Sequence, residues 1–372
     1  MKRTLSGYIP TLDGWRSLAI LGVMINHGVD SFQRFAGLDS PGLKAAASFG
    51  SLGVDVFFGI SGFLICSRLI EEFQRRGSIS LKGFYIRRAF RILPPYFLCL
   101  AGIAVLAAMG LVHVTRWEWL GTLFFFLNYV PAGQSGWFTG HFWSLAVEEH
   151  FYLIWPVALA WWGLARARRY ILIPTLLVAL WRIAEFRLHL GERLIPGLGF
   201  FTRTDIRFDA LLWGCWAALL FAEIRDRVGP WLRGGVWIGL ALAFALCAVF
   251  LPPMALLWQS AIIPLVLLGT ILHPQEWAGR ILEAAPLQWI GKLSYSLYLW
   301  QQIFLVDAAQ SRSLSILQDW PVNVLATVAC AAASFYLVEK PAIRVGHRLA
   351  KPINQERDAA PEFQTAAPAE GR

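Results

Sequence analysis

The first long apolar stretch of the chain, Leu12–Val29, carries two side chains that could do chemistry, Arg16 and His27. Ionisable residues in such a stretch are costly and usually mark a functional site. Eleven residues at 100° each bring a helix almost back to the same face, about 16 Å further along. One helix is therefore expected to present a guanidinium that can hold an anion and an imidazole that can exchange a proton near neutral pH.

Three carboxylates in later apolar stretches are the expected catalytic partners of His27: Asp55, Glu148 and Glu149. A carboxylate beside an imidazole fixes the tautomer and stabilises the imidazolium, which is the minimum needed for general base catalysis. Adjacent residues on a helix point about 100° apart, so at most one of the two glutamates can face the imidazole. Asp55 has a structural alternative, because it could cap the start of its helix.

A basic motif, Arg87-Arg88-Ala-Phe-Arg91, indicates a site for phosphate groups. Arg88 and Arg91 are three residues apart and share one face of a helix, where two planar guanidiniums can bind phosphate oxygens. We group Arg16 with them at the same end of the protein. Anchoring of a basic loop at the membrane surface is the structural alternative for these residues.

Two later apolar stretches also carry polar side chains. Arg207 and Asp209 lie two residues apart and are expected to form an ion pair inside the protein. Tyr295 and Tyr298 are expected on one helix face, where their hydroxyls could line a pocket, although tyrosines are also common at membrane surfaces. Glu339 closes the last apolar stretch and is expected to serve as a helix terminus.

The composition is that of a membrane protein. Of the 372 residues, 57% are hydrophobic and 15% charged, and 18 Trp and 9 Tyr fit aromatic belts at two membrane surfaces. The net charge of +9 is explained by basic cytoplasmic loops, so no nucleic-acid partner is predicted. The five cysteines are scattered through apolar stretches without metal-binding spacing, and no metal site is predicted. No cleavage site follows the first apolar stretch, which is expected to be a retained helix.

Apolar stretches of spanning length predict an all-α membrane protein, a polytopic bundle of about ten transmembrane helices. A shorter stretch, Trp117–Val130, predicts a re-entrant or interfacial segment. With this arrangement most basic loops and both termini lie in the cytoplasm. Residues 8–345 are expected to form one membrane domain, and 352–372 a disordered cytoplasmic tail. The ten predicted spans are Leu12–Val29, Phe49–Ile70, Ile92–Val112, Phe142–Leu164, Tyr170–Phe186, Arg207–Ile224, Gly234–Leu251, Ala255–Leu272, Leu293–Asp307 and Val322–Val338.

The order of these motifs resembles the acyltransferase 3 family, integral-membrane O-acyltransferases that act on bacterial surface glycans. The resemblance covers about residues 8 to 345, nearly the whole chain. The motifs that carry it are Arg16-x10-His27, Phe57-Phe58-Gly-Ile-Ser61-Gly62-Phe63, Arg88-x-x-Arg91 with Pro94, Trp143-Ser-Leu-x-x-Glu148-Glu149-x-Phe151-Tyr152, Tyr295-Ser296-x-Tyr298-Leu and Glu339-x-Pro341.

The resemblance implies transfer of an acyl group, usually acetyl, from cytoplasmic acyl-CoA to a hydroxyl of a carbohydrate at the bacterial inner membrane. Acyl-CoA is then a donor substrate, and no bound cofactor is implied. By this resemblance His27 is the catalytic base or a transient acyl carrier, and Glu148 and Glu149 support the acceptor site. The residues expected at the donor site are Arg16, Arg88, Arg91 and Tyr295.

The chain departs from the family pattern at three points. Gln301 stands where members often have histidine, and His150 stands where glutamine is common. Many members also carry a fused extracytoplasmic hydrolase-like domain, which is not expected in this chain. The chain is therefore expected either to transfer the acyl group directly or to work with a separate extracytoplasmic partner.

Two other functions fit the intramembrane polar residues. In a transporter or flippase for an acylated precursor or small anion, they would form a substrate and proton path. The sequence shows no internal repeat of the kind that many transporters have. In a scaffold subunit of a glycan-assembly complex, the same residues would only hold helices together.

Overall fold

The computed structural model describes residues 7–233, 235–250, 255–306 and 313–359, and within these ranges the chain is helical and contains no β-strand. This confirms the predicted all-α class for the described part of the chain. The α-helices are α1 Pro10–Ala36, α2 Pro41–Ser48, α3 Leu52–Arg76, α4 Leu81–Ala108, α5 Arg116–Leu123, α6 Trp137–Gly140, α7 Phe142–Tyr170, α8 Leu172–Leu188, α9 Leu190–Leu194, α10 Thr204–Leu219, α11 Phe221–Glu223, α12 Val236–Phe250, α13 Ala255–Leu272, α14 Trp277–Leu282, α15 Ala285–Phe304, α16 Val322–Ser334 and α17 Lys340–Ala359.

Short turns of other helix types complete the secondary structure. π-Helical turns extend α11 and α16, and the second of them leads directly into α17. The π-helical turns are Ile224–Val228 and Phe335–Glu339, and the 3₁₀ turns are Phe49–Ser51, Leu127–Tyr129, Ala132–Gln134, Gly229–Trp231 and Ser315–Gln318.

By length and apolar composition, three continuous helical stretches of the described chain could cross a membrane: Pro41–Arg76, Leu81–Ala108 and Val322–Lys351. The other predicted spans coincide with helices, but a ten-helix membrane bundle stays a prediction. The predicted span ends at Gly234, Leu251 and Asp307 lie outside the described residues.

Two further predictions concern the short stretch 117–130 and the tail. The stretch forms the eight-residue helix α5 and a 3₁₀ turn, so it is too short to span the hydrocarbon as one helix. A capping box between Thr115 and Glu118 starts α5. The tail differs from the prediction at its beginning, because α17 continues to Ala359; residues 360–372 lie outside the described residues.

Helix α1, which carries both Arg16 and His27, packs against α3 and α15 so closely that glycines of these helices face its backbone atoms. A Cβ atom on Gly53 of α3 would collide with the carbonyl oxygen of Ala19, and one on Gly291 of α15 would collide with that of Asp13. Small residues let helix backbones approach in this way where apolar burial drives association weakly. The register of α1 against its neighbours is therefore set by backbone contact.

Buried ion pairs join α3, α8 and α10. Arg207 of α10 pairs with Asp55 of α3, and Asp209 of α10 pairs with Arg182 of α8; all four residues are buried. The predicted pairing of Arg207 with Asp209 is wrong, because residues two apart on a helix point to different sides. Each charge instead meets a partner on another helix, so the pairs fix how these helices pack.

We expect Gly53→Ala to lower the free energy of unfolding by about 1–3 kcal/mol, because overpacking forces the backbones of α1 and α3 apart. Thermal unfolding of the purified protein in detergent measures the effect. The matched control is Gly239→Ala in α12, where a Cβ atom would have no neighbour within 4 Å. If both variants unfold at the wild-type temperature, the backbone contact does not set the packing of α1.

Candidate active site

A basic mouth of about 690 Å³ opens between α1, α3, α4 and α15. It carries eight Lys or Arg side chains against four carboxylates, so its formal charge is +4 with histidine neutral. Its charged lining residues are Arg16, Arg68, Arg75, Arg76, Arg87, Arg88, Arg91 and Lys292, with Asp13, Glu71, Glu72 and Glu339.

The three predicted donor-site arginines lie at the inner end of the basic mouth. Arg16 is paired with Asp13 at 3.2 Å. Neither Arg88 nor Arg91 forms an ion pair with any residue that the structure describes; the Arg88 guanidinium lies 4.6 Å from the centre of the Tyr152 ring. Unpaired guanidiniums in a concave site attract anions and can bind phosphate oxygens through two parallel hydrogen bonds.

Tyr8, just before α1, belongs to the wall of the basic mouth. Its hydroxyl donates a hydrogen bond to Asp13 Oδ2 at 2.5 Å. Partial burial, together with this carboxylate, raises the pKa of the Tyr8 phenol. Tyr8 therefore remains a neutral hydrogen-bond donor and leaves the positive charge of the mouth undiminished.

A narrow cavity of about 90 Å³ continues from the basic mouth, with which it shares Arg16, Leu64, Arg88 and Arg91. Its remaining lining residues include Val54, Phe57, Phe58, Ser61, Ser144, Glu148, Glu149, Tyr152, Tyr295 and Tyr298.

Both predicted glutamates line the narrow cavity. Glu148 accepts hydrogen bonds from Ser61 Oγ at 2.7 Å and from the Tyr152 hydroxyl at 3.0 Å. Helical spacing explains this arrangement, because Glu148 and Tyr152 are four residues apart on one face of α7. Tyr295 also lines this cavity, and its hydroxyl donates to the carbonyl oxygen of Ile92 at 3.0 Å.

The His27 chamber, of about 310 Å³, lies beyond the narrow cavity, and the two share Val54 and Tyr298 in their walls. The Tyr298 hydroxyl donates to the carbonyl oxygen of His141 at 2.9 Å and lies 2.6 Å from Ser144 Oγ, which holds the ring at this junction. The chamber is lined by Val23, Asn26, His27, Ser51, Leu52, Val54, Asp55, Gly140, His141, Trp143, Phe201, Arg207, Gln259, Tyr298 and Gln302.

The three cavities thus form a row along α1, with Arg16 at the first two and His27 at the last. Both groups lie on α1 beside this row, about 16 Å apart along the helix axis. The row runs from a strongly basic opening to the chamber that contains the imidazole.

His27 makes its hydrogen bond with α15. Its Nδ1 lies 2.7 Å from Oε1 of Gln301, and the ring packs edge-on against Trp137 with centroids 5.3 Å apart. An amide oxygen only accepts hydrogen bonds, so Nδ1 carries the proton and the lone pair resides on Nε2. Gln301, at a position where the resemblance suggests histidine, is the residue that sets this tautomer.

The predicted acid/base cluster of His27, Asp55, Glu148 and Glu149 is not a single cluster. Asp55 shares the chamber with His27, but its carboxylate accepts a hydrogen bond from the Arg207 guanidinium. Glu148 and Glu149 line the adjacent narrow cavity instead. Asp55 does not cap its helix either, because it lies in the first turn of α3 and its side chain reaches across to α10.

The hydrogen-bond partners of several polar residues of the site cannot be predicted from any motif or spacing in the sequence. His141 has one ring nitrogen 2.6 Å from Gln302 Oε1 and the other 3.1 Å from the carbonyl oxygen of Leu299; both oxygens only accept, so the neutral ring donates to one of them. His150, by contrast, is hydrogen-bonded to Thr204 Oγ1 at 2.6 Å.

Among the described residues, no group of three His, Cys, Asp or Glu side chains is arranged to hold a metal ion.

The family model described as an acyltransferase domain matches residues 9–339 of this chain. The match includes every lining residue of the narrow cavity and the His27 chamber, and His27 with its partner Gln301. The chain belongs to the acyltransferase 3 family. A comparison with solved structures finds no match.

Relatives with similar sequences are named as O-acetyltransferases. The chain is 28% identical to a peptidoglycan O-acetyltransferase of Listeria monocytogenes over 92% of its length and 57% of the relative. It is 28% identical to a Bacillus subtilis protein provisionally named a peptidoglycan O-acetyltransferase, over 92% of this chain and 56% of that protein. A Staphylococcus aureus protein provisionally named an O-acetyltransferase is also 28% identical, over 96% and 60%. The chain thus spans under two thirds of the length of these relatives.

We expect ¹⁵N NMR of labelled histidine to show His27 protonated at Nδ1, because Gln301 Oε1 accepts that proton. Gln301→Leu removes the acceptor, and the loss of a hydrogen bond of about 0.5–1.5 kcal/mol should lower the Nδ1–H to Nε2–H ratio roughly two- to tenfold. The exposed Gln134 supplies the control, Gln134→Leu, which should leave the ratio unchanged. An unaltered His27 signal in Gln301→Leu would contradict the assigned tautomer.

Proposed function

We propose that this chain is a membrane-bound O-acyltransferase that moves an acyl group, in particular acetyl, from cytoplasmic acyl-CoA to a hydroxyl of a cell-surface or exported carbohydrate. The observation that carries the proposal is the row of adjacent cavities that runs from a basic mouth to the His27 chamber. Membership of the acyltransferase 3 family and relatives named as O-acetyltransferases support it.

The basic mouth suits the CoA part of the donor. CoA carries several phosphate charges at one end and a thioester at the end of a long linear arm. The mouth has a formal charge of +4 and contains the unpaired guanidiniums of Arg88 and Arg91, which bind phosphates well. The narrow cavity then admits the linear arm but not the nucleotide, so the thioester points towards the His27 chamber.

His27 is the proposed general base. With Nδ1–H directed to Gln301, the lone pair of Nε2 accepts the proton of the acceptor hydroxyl. The hydroxyl oxygen then bonds to the thioester carbonyl carbon, the carbon–sulfur bond breaks, and the CoA thiolate leaves and takes up the proton. A transient acyl group on His27 Nε2 is the two-step variant of the same reaction.

Glu148 and Glu149 have a proposed role on the donor side. They line the narrow cavity with Arg16 and Arg88, and Glu148 is already held by two hydroxyl donors. Carboxylates in this position balance the guanidiniums along the passage and limit the affinity for the leaving CoA. Tyr295, in the same wall, contacts the arm of the donor.

The proposed topology puts the basic mouth on the cytoplasmic side, where acyl-CoA is made. Ten spans with both termini inside place most basic loops in the cytoplasm, as the positive-inside rule requires. The three apolar helices of spanning length support a position in the bacterial inner membrane. Under this topology the His27 chamber faces the outer part of the membrane, from which the carbohydrate acceptor and any separate partner chain approach.

We expect His27→Ala to lower acyl transfer about 10²- to 10⁴-fold, the contribution typical of general acid–base catalysis, while the protein stays folded and inserted. The measurement is the O-acetyl content of isolated surface glycans in a deletion strain complemented with each variant.

The matched control is His113→Ala, because His113 is exposed and lines none of the three cavities. Full glycan acetylation with His27→Ala would refute the role of His27. Dependence on a proton gradient without any need for an acyl donor would favour a transporter instead, and a loss of stability without loss of turnover per folded molecule would favour a scaffold.

We expect the double variant Arg88→Gln with Arg91→Gln to raise the KM for acyl-CoA about tenfold or more, because each charged hydrogen bond contributes about 1.5–3 kcal/mol. The KM for the acceptor should change little. Initial rates with purified protein in nanodiscs measure both. Arg34→Gln, an exposed arginine on α1 outside the mouth, is the control. A donor KM that does not rise in the double variant would contradict the phosphate-binding role.

A further inference from the structure

The His27 chamber differs from the basic mouth in its charge. Among the described residues that line it, the one carboxylate, Asp55, is paired with the one guanidinium, Arg207, so the two charges cancel. Asp209, two residues along α10, is paired with Arg182 in the same way and adds no net charge nearby. With its histidines neutral, the chamber is polar but carries no net charge.

The wall of the chamber is rich in groups that suit hydroxyls. The amides of Asn26 and Gln259 can each exchange two hydrogen bonds with neighbouring hydroxyls, whereas Gln302, whose Oε1 is bonded to His141, offers its amide nitrogen. Trp143 adds an aromatic face with an apolar surface. A volume of about 310 Å³ lies at the lower end of the range for small-molecule sites, about 300–1,000 Å³.

One polar atom in this wall lacks a partner. Arg207 is buried, and its Nη2 donates a hydrogen bond to Asp55. Its guanidinium carbon lies over the Trp143 ring, 5.7 Å from the ring centre. Its Nε–H is buried without a hydrogen-bond partner among the described residues. This nitrogen has no exposed surface, so it does not itself contact a ligand. The Arg207 charge remains neutralised by Asp55 within the wall of the chamber.

We propose that the His27 chamber binds a neutral, hydroxyl-rich sugar unit and discriminates against anionic sugars through the closed Asp55–Arg207 pair. The inference rests on the proposed function in that this sugar unit is the acyl acceptor. A neutral sugar can form hydrogen bonds with the amides without bringing a charge. A carboxylated sugar would bring an unpaired charge close to Asp55, into a site where the described lining residues include no unpaired Lys or Arg, and this is costly.

Methyl β-glucoside and methyl β-glucuronide are suitable probes, because they differ only in the replacement of a hydroxymethyl group by a carboxylate. Their binding to the full chain in nanodiscs of sugar-free lipid can be measured by saturation-transfer NMR, with no acyl donor present. We expect the glucoside to bind about tenfold or more tightly than the glucuronide, because only the glucuronide brings an unpaired charge into the chamber. Acyl transfer from acetyl-CoA to each probe is measured separately.

Two variants change the charge of the chamber. Asp55→Asn leaves Arg207 without its carboxylate, and Gln259→Lys adds a cation while keeping the Asp55–Arg207 pair, in case the first variant does not fold. Each should shift the preference towards the glucuronide by about tenfold, because a free cation can now pair with its carboxylate. Asp39→Asn, an exposed aspartate outside the chamber, is the control and should keep the wild-type preference.

Equal binding of the two probes by the wild type, or an unchanged preference in a folded Gln259→Lys variant, would overturn the inference. Preferential binding of the glucoside that shifts in the charge variants supports it. The binding readout separates this inference from the proposed function. Selective binding without acyl transfer to any hydroxyl would leave the neutral sugar site in place and refute the transferase reaction.

Discussion

A charged side chain among apolar helices is costly unless an opposite charge or a ligand meets it, and the interior of this protein is organised around that constraint. The buried charges of α3, α8 and α10 form ion pairs, Asp55 with Arg207 and Asp209 with Arg182. At the mouth, Arg88 and Arg91 form no ion pair with any described residue. The same side-chain chemistry therefore holds helices together at one depth and is available to an anion at another.

Helix α1 links these two environments because it runs past all three cavities. Its register depends on backbone contacts through Gly53 and Gly291, so the distance between Arg16 and His27 is fixed by helix geometry rather than by flexible side chains. Gln301 then fixes the proton on His27 from the neighbouring helix. In the proposed reaction, α1 therefore holds donor recognition at Arg16 and proton transfer at His27 a fixed distance apart.

Much of this arrangement could be predicted from the sequence, and the failures have definite causes. Apolar periodicity predicted the helices, and the eleven-residue spacing predicted that Arg16 and His27 share a face. Pairing across helices could not be predicted, because it depends on rotation and depth that a single helix does not encode. For this reason Glu148 was expected beside His27 but lies beside Ser61, and Arg207 was expected to pair within its own helix but pairs with Asp55. Nothing in the sequence identified Gln301 as the partner of His27.

The buried pair of Arg182 and Asp209 also constrains the order in which the chain assembles. The two residues lie 27 positions apart, on consecutive long helices, so α8 emerges from synthesis with a guanidinium that has no carboxylate until α10 has followed it. In the proposed ten-span arrangement, a lone charge of this kind disfavours insertion of α8 by itself and favours insertion of the two helices together. The Asp55–Arg207 pair spans a much longer stretch of chain. Asp55 is synthesised 152 residues before Arg207 and has no guanidinium to pair with until α10 is made. Arg207 of α10 thus joins the wall of the His27 chamber before Gln259, Tyr298 and Gln302, which lie later in the chain.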